Sequence, residues 1–295
     1  MRRAMWWVHS AAVWIMRRLP LRMARLAFRV HHKLLRTAAL SYRAPTYFGA
    51  RLVCDPRDLI QQMILFFGVW EPDVSHVIEQ SLAPGDVFVD VGANVGYDSL
   101  LASRAVGPSG AVVTIEASAR TFALLSRNLA LNDAANVRAV NAAVSDKVGK
   151  LELFEVSEGN IGAATTLAAR GGALIESVDA LPLDRILRPQ EVARLRLIKL
   201  DIEGAEPPVL RQILARLAHY PARMDIIVEA SPQDDSGWQE VFAALLSAGF
   251  AAYSIANEYE LEWYLRWRRP TPLRRVTEMP TRQQDLLFTR QPLAF

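Results

Sequence analysis

Cysteine is almost missing from this chain: Cys54 is the only one in 295 residues, so no internal disulfide can form and no cysteine cluster can hold zinc. The five histidines, at 9, 31, 32, 76 and 219, show no metal-ligand spacing, so no metal site is expected. No apolar run reaches the roughly 20 residues a helix needs to cross a bilayer. The stretch from Ala4 to Met16 is apolar for 13 residues and carries Trp6, Trp7 and Trp14, and it lacks a small-residue cleavage site. A serine nucleophile elbow, internal repeats and low-complexity segments are absent too.

Acid is missing from one region. Of the chain's 34 Lys/Arg, eleven fall in residues 1–54, which contain no Asp or Glu; the other 23 face 31 acids, a net −8. The overall charge of +3 therefore belongs to the N-terminus, and the remaining body gives no reason to expect a nucleic-acid partner. Residues 1–43 are expected to be helical in two pieces divided near Pro20. Leu19, Met23, Leu26, Val30 and Leu34 form an apolar stripe beside Arg18, Arg22, Arg25, Arg29, Lys33 and Arg36. Such a basic amphipathic extension suits an anionic membrane surface; the rival is docking of the stripe onto the protein's own body or onto a second copy. The lone cysteine makes the cytoplasm the expected compartment, with peripheral attachment to the inner face of the membrane through residues 1–43.

What the chain has is an α/β pattern. Strands are expected near 86–91, 111–116, 137–141, 196–201, 225–230, 251–256 and 285–289, alternating with helices. This predicts a mostly parallel seven-stranded sheet covered on both faces. An insertion between the third and fourth holds an extra strand at Leu151–Val156, then a small-residue loop from Ser157 to Thr166 that suits a place near substrate, then a short strand at Glu176–Ala180. Residues 44–85 read as a lead-in with a strand at Tyr47–Val53 and a helix at Val74–Leu82. Trp263–Arg269 reads as a lid or membrane-facing loop, or as a segment packed on the sheet.

The segment Val87-Phe-Val-Asp90-Val-Gly92-Ala-Asn94-Val-Gly96 is a buried strand breaking into a glycine-rich turn that opens a helix. In a dinucleotide site that turn faces a pyrophosphate, which Asp90 would repel. A ligand with a cationic, hydroxyl-rich end fits better, and S-adenosylmethionine carries an ammonium and a sulfonium without a phosphate. Glu116, at the end of the next strand, can accept both ribose hydroxyls. The alternative is a doubly wound protein whose Asp90 caps the turn and whose Glu116 is a solvated strand end.

Asp90 to Gly96, Glu116, Asn128-Leu-Ala-Leu-Asn132, Asn141-Ala-Ala-Val-Ser-Asp146 with Gly149, and above all Ile198-Lys-Leu-Asp201-Ile-Glu203-Gly204-Ala-Glu206 carry a resemblance to the FkbM family of S-adenosylmethionine-dependent methyltransferases. It spans roughly residues 65–290. One departure is that Glu116 is followed by Ala117, where the family often has proline. The resemblance implies a Rossmann-like class I methyltransferase domain over 86–295, after the lead-in of 44–85 and the helical extension of 1–43. It also implies that the lead-in folds over the cofactor, so that Trp70 and Glu71 line the site or serve only as a buried aromatic and a solvated acid.

The expected cofactor residues are Asp90, Gly92, Asn94, Gly96 and Glu116. Asp201 and Glu203, past another strand end, are expected to act on the acceptor as catalytic groups, with Glu206 starting the next helix and Lys199 steadying a carboxylate or serving structure. The expected reaction is O-methylation of a hydroxyl on a sugar, lipid-linked glycan or secondary metabolite. A nicotinamide-dependent oxidoreductase and a catalytically silent membrane adaptor are the alternatives.

Overall fold

The structure is a computed structural model that describes residues 15–16, 18–37, 41–155, 164–165, 173–232, 237–267 and 269–293. All seven expected strands form. In chain order they are β3 (Val87–Val91), β4 (Ala111–Glu116), β5 (Val137–Asn141), β10 (Leu195–Leu200), β11 (Asp225–Ala230), β12 (Ala251–Ile255) and β14 (Gln284–Thr289). A three-residue strand, β13 (Arg274–Val276), adds an eighth at the edge, where its exposed arginines had hidden it from a search for apolar runs. The sheet order is β13-β12-β14-β11-β10-β3-β4-β5, with β11, β10, β3, β4 and β5 parallel and β14 antiparallel to β11. Because β3, β10 and β11 are buried on both faces, they read as largely apolar segments, broken only by Asp90, Arg196, Lys199, Asp225 and Glu229.

Helices cover both faces. One face packs α8 (Glu206–Ala215) and α9 (Trp238–Ser247) through Val209, Leu210, Val241 and Leu245. The other packs α3 (Pro72–Ser81) and α4 (Tyr97–Val106) through Val74, Ile78, Leu101 and Val106. The insertion folds as a small sheet of its own from β6 (Ala143–Val144), β7 (Gly149–Glu155), β8 (Ala164–Thr165) and β9 (Leu174–Leu181), in the order β6-β9-β7-β8, with β7 antiparallel to β9. The strand expected at Leu151–Val156 forms as part of β7 up to Glu155, Val156 lying outside the described residues, and the one expected at Glu176–Ala180 lies within β9. The expected loop from Ser157 to Thr166 falls almost wholly outside the described residues, as does the helical piece before Ile15.

The lead-in differs from expectation. A hairpin of β1 (Tyr42–Pro45) and β2 (Arg51–Cys54) replaces the single strand, and Tyr47 lies in its turn, where Gly49 has φ +85°. Helix α2 (Leu59–Phe67) follows, capped by the Asp58 carboxylate, which accepts from the Gln61 N–H. The asparagines of the Asn128–Asn132 block, on α5 (Ala119–Leu131), tie this hairpin to the body. Asn128 accepts from Val53 N–H and donates to Val95 C=O, at 2.8 and 2.9 Å, and Asn132 makes the equivalent pair with Arg51 at 2.8 and 2.7 Å. Trp263–Arg269 is a packed element rather than a lid: α10 (Leu261–Arg266) buries Tyr264 and Leu265, and the Trp267 indole donates to Asp73.

Strand order reverses between β3 and β10, and both strands break there into turns: 92–96 after β3 and 201–205 after β10. The Asp201 N–H donates to Val91 C=O at 3.0 Å, so the turns start side by side. Gly92 has φ +84°, and a Cβ on it would stand 1.7 Å from the Asp201 carbonyl oxygen. Gly92→Ala should therefore cost about 3 kcal/mol or more in chemical denaturation, from the strained φ together with the clash. Asn128→Ala, which strands two buried backbone groups, should cost roughly 2 to 5 kcal/mol. Wild-type unfolding midpoints would show that neither contact holds the molecule together.

Candidate functional site

Ligands of open α/β sheets bind at the carboxyl ends of strands where the order reverses. A cavity of about 260 Å³ lies there. Its walls come from the 92–95 turn after β3, Glu116 at the end of β4, the turn after β10 with Asp201 and Glu203, and Glu229 near the end of β11, covered by Trp70, Glu71 and Tyr259.

Glu116 is held firmly. Asn94, at φ +48°, donates its N–H to Oε2 at 2.9 Å, and Ser118 donates its N–H to Oε1 at 2.9 Å before capping α5. Each oxygen keeps a lone pair for another donor, such as a hydroxyl. Burial pushes the Glu116 carboxyl up to about 7, against the pull of those two N–H groups.

Of the five expected cofactor residues, Gly92, Asn94 and Glu116 line the cavity, whereas Asp90 and Gly96 stand behind it. Asp90 is fully buried and accepts from the Ser99 hydroxyl of α4, so it fastens the helix that follows the turn. Its carboxyl is pushed up to about 7 by burial and by the neighbouring Asp98. A one-dimensional reading could not see that Asp90, inside the strand, turns toward the helix rather than toward the ligand.

Both expected catalytic residues line the cavity. They do not continue the strand: β10 ends at Leu200, and Glu203 sits at φ +58° in the turn. Lys199 donates to Asp201 Oδ2 at 2.8 Å and stands 3.3 Å from Asp98 Oδ2. Burial alone would depress its ammonium, yet Asp201, Asp98, Glu71 and Asp90 outweigh burial and hold it well above its ordinary value. Glu206 begins α8, fully buried, and its Oε1 accepts from the Ile202 and Gly204 N–H groups, which closes the turn. Burial pushes its carboxyl up to about 8.

Trp70 and Glu71 do line the cavity, and with them stands a group that had drawn no attention in the sequence. The Tyr259 hydroxyl lies 3.1 Å from Glu71 Oε1 and 3.0 Å from Glu229 Oε1, and its ring stacks on Trp70 with centroids 5.5 Å apart. One phenol proton serves one of the two carboxylates at a time, so this contact favours the protonated form of the other. Both are held well above the ordinary carboxylate range, chiefly by burial. Asn257 donates to Glu71 and to Asp285, and Gln283 donates to Glu229. Glu229 carried a signal, an acid near a strand end as at Glu116; Tyr259, in a loop, carried none.

Among the described residues, six carboxylates and one ammonium line this cavity: Glu71, Asp98, Glu116, Asp201, Glu203 and Glu229 against Lys199. A phosphate would meet repulsion. S-adenosylmethionine, with its positive sulfonium and ammonium and its ribose hydroxyls, supplies the charge and donors the walls lack. The buried, unpartnered Asn94 Oδ1 in the turn is one more acceptor waiting for a donor. The residues present therefore fit the cofactor. Among the described residues no group of three or more His, Cys, Asp or Glu is arranged to hold a metal ion.

Comparison with known proteins gives the family. The model of the methyltransferase FkbM domain matches residues 90–252, more than half of the chain. The chain is 29% identical over 201 residues to the methyltransferase sdnD of Sordaria araneosa, covering 58% of this chain and 76% of that protein. Among solved structures it is similar to methyltransferase FkbM from Methylobacillus flagellatus, with a TM-score of 0.45 at 14% identity, covering 78% of this chain and 52% of that one. It is also similar to an S-adenosylmethionine-dependent O-methyltransferase from Thermotoga maritima, with a TM-score of 0.42 at 16% identity over 85% of this chain and 76% of that one. From the family match, the chain belongs to the FkbM family of methyltransferases, with S-adenosylmethionine as its cofactor.

Proposed function

We propose that this methyltransferase acts on a hydroxyl of a polyhydroxylated acceptor: a sugar, a lipid-linked glycan or a hydroxylated secondary metabolite. The observation that carries this reading is the excess of hydrogen-bond acceptors in the cavity wall, above all Glu71 and Glu229 about the Tyr259 hydroxyl beside the Trp70 ring. Walls of that kind favour a molecule with many O–H donors and one apolar face.

S-adenosylmethionine supplies an electrophilic methyl group when bound. The chain's own residues have three tasks. Glu116, fixed by two N–H donors, accepts from the ribose hydroxyls, with Gly92 and Asn94 shaping the turn beside it. Asp90 and Gly96 act from behind, through α4. Asp201 or Glu203 takes the proton of the acceptor hydroxyl as it becomes a nucleophile. For Asp201, the Lys199 bond to Oδ2 fixes the carboxylate and leaves Oδ1 for that proton. The covering residues keep the pocket dry, so alignment is not lost to solvent.

Losing a charge-assisted hydrogen bond costs about 1.5 to 3 kcal/mol, so Glu116→Ala should weaken S-adenosylmethionine binding roughly 10- to 100-fold in calorimetry. Unchanged affinity in the folded variant would remove Glu116 from the ribose. Asp201→Asn or Glu203→Gln should lower kcat by about 100- to 10,000-fold while leaving cofactor affinity within a few-fold. If both amides turn over normally, neither is the base. The acceptor class is tested by transfer of labelled methyl from the cofactor into lipid and glycan extracts. An ether product keeps its label in mild alkali; release of the label as methanol would mean a carboxyl acceptor and overturn the reading.

A further inference from the structure

Helix α1 (Leu21–Thr37) has two apolar sectors, and the structure uses the one that the stripe did not predict. Ala24, Phe28 and Leu35 are buried against the body, with the Phe28 ring 4.7 Å from that of Phe66 on α2 and an ion pair from Arg25 to Glu262 on α10. Of the expected stripe, Leu19 is half-buried against the body, and the other four members turn the other way. Met23, Leu26, Val30 and Leu34 are 55%, 63%, 53% and 63% exposed, four large apolar side chains in a row at helical spacing. On a 3.6-residue helix Arg22, Arg29 and Lys33 fall along one flank of that row, and all three are exposed. Docking onto the protein's own body, one of the sequence-based alternatives, is seen for Leu19 and not for Met23, Leu26, Val30 or Leu34.

We propose that this outer face of α1 lies in the headgroup region of an anionic lipid membrane and holds the enzyme there peripherally. Among the described residues no helix is long and apolar enough to cross a bilayer, so the mode is surface attachment through one helix face. Charge decides between lipid and a second copy. Residues 1–54 contain no acid, so apposing two such faces would bring the two basic flanks together with no carboxylate in this segment to pair with them. Anionic headgroups supply the missing charge while the acyl boundary takes the four apolar side chains. The face belongs to a helix packed on α2 and tied to α10, and residues of α2 (Leu59 and Ile60) also line the cofactor cavity. Attachment would thus hold the active site near the membrane. The proposal stands whatever the acceptor is.

The test is flotation of the full chain with phosphatidylglycerol–phosphatidylcholine vesicles and with phosphatidylcholine alone. The protein should float with the anionic vesicles and lose most of that recovery without phosphatidylglycerol, or when about 1 M salt shortens the screening length from about 10 Å to about 3 Å. Arg22→Gln, Arg29→Gln and Lys33→Gln together should lower partition about 100-fold, and Leu26→Glu with Leu34→Glu at least about tenfold. These side chains are exposed and none of them lines the cavity, so S-adenosylmethionine affinity serves as the folding control. A chain that stays soluble with either vesicle overturns the proposal. So does recovery indifferent to lipid charge, or a dimer in light scattering that the Leu26→Glu and Leu34→Glu pair converts to monomer without any vesicle binding.

Discussion

Desolvating carboxylates is the constraint on which this site depends. A buried carboxylate is tolerated when it is hydrogen-bonded, paired or protonated, and the cavity uses all three means. Glu116 takes two N–H groups, Asp201 takes Lys199, and burial favours the protonated forms of Glu71 and Glu229 beside Tyr259. With one ammonium for six carboxylates among the described residues, the walls remain short of positive charge and of donors. A cofactor carrying a sulfonium, an ammonium and two ribose hydroxyls fits that deficit, and a dinucleotide's pyrophosphate does not.

The fold keeps this arrangement from relaxing. Five parallel strands bring their carboxyl ends to one side, and the reversal between β3 and β10 places two turns in contact, with Gly92 against the Asp201 carbonyl. Glu206 then closes the second turn from inside, taking the Ile202 and Gly204 N–H groups on one oxygen. Of the three acids in the 201–206 segment, two face the cavity and the third holds the loop that presents them. The hairpin before the domain is fastened by Asn128 and Asn132, and it leads into α2, which forms part of the cavity wall. Position and chemistry are thereby partly separated: Ser118, Glu206 and Asn128 do not line the cavity and fix the elements around it, while Asn94 and Lys199 line it and hold Glu116 and Asp201 directly.

Much of this was legible in the sequence, because doubly buried strands are largely apolar runs and turns with positive φ need glycine. The seven main strands and Glu116 followed from such local signals, the 201–206 turn from local signals together with the family resemblance, and the cavity-lining role of Trp70 and Glu71 from the resemblance alone. Three-dimensional facts did not. Asp90 alternates to the helix side of its strand; Tyr259 meets Glu71 only through a contact 188 residues apart in sequence. The β1–β2 hairpin and α2 were unread because their apolar residues are shared with neighbouring elements. On α1, periodicity found an apolar stripe but could not say which of two sectors meets the body. Small Ala24 and the ring of Phe28 let the helix pack closely on Phe66, and that contact decided the orientation.

The central claim is that buried, partly protonated carboxylates are what the cofactor binds to, and proton linkage measures it directly. With Glu116, the buried acid in the cavity wall, pushed up to about 7, most free molecules hold protons on it at pH 6. A ligand that brings positive charge and hydroxyl donors favours the anionic forms and must release those protons on binding; at a pH well above 7 they are already gone. Calorimetric titration with S-adenosylmethionine at pH 6, in two buffers of different ionisation enthalpy, should show net proton release that fades as the pH is raised past about 8. Binding with no proton release at pH 6, or with proton uptake, would contradict the account.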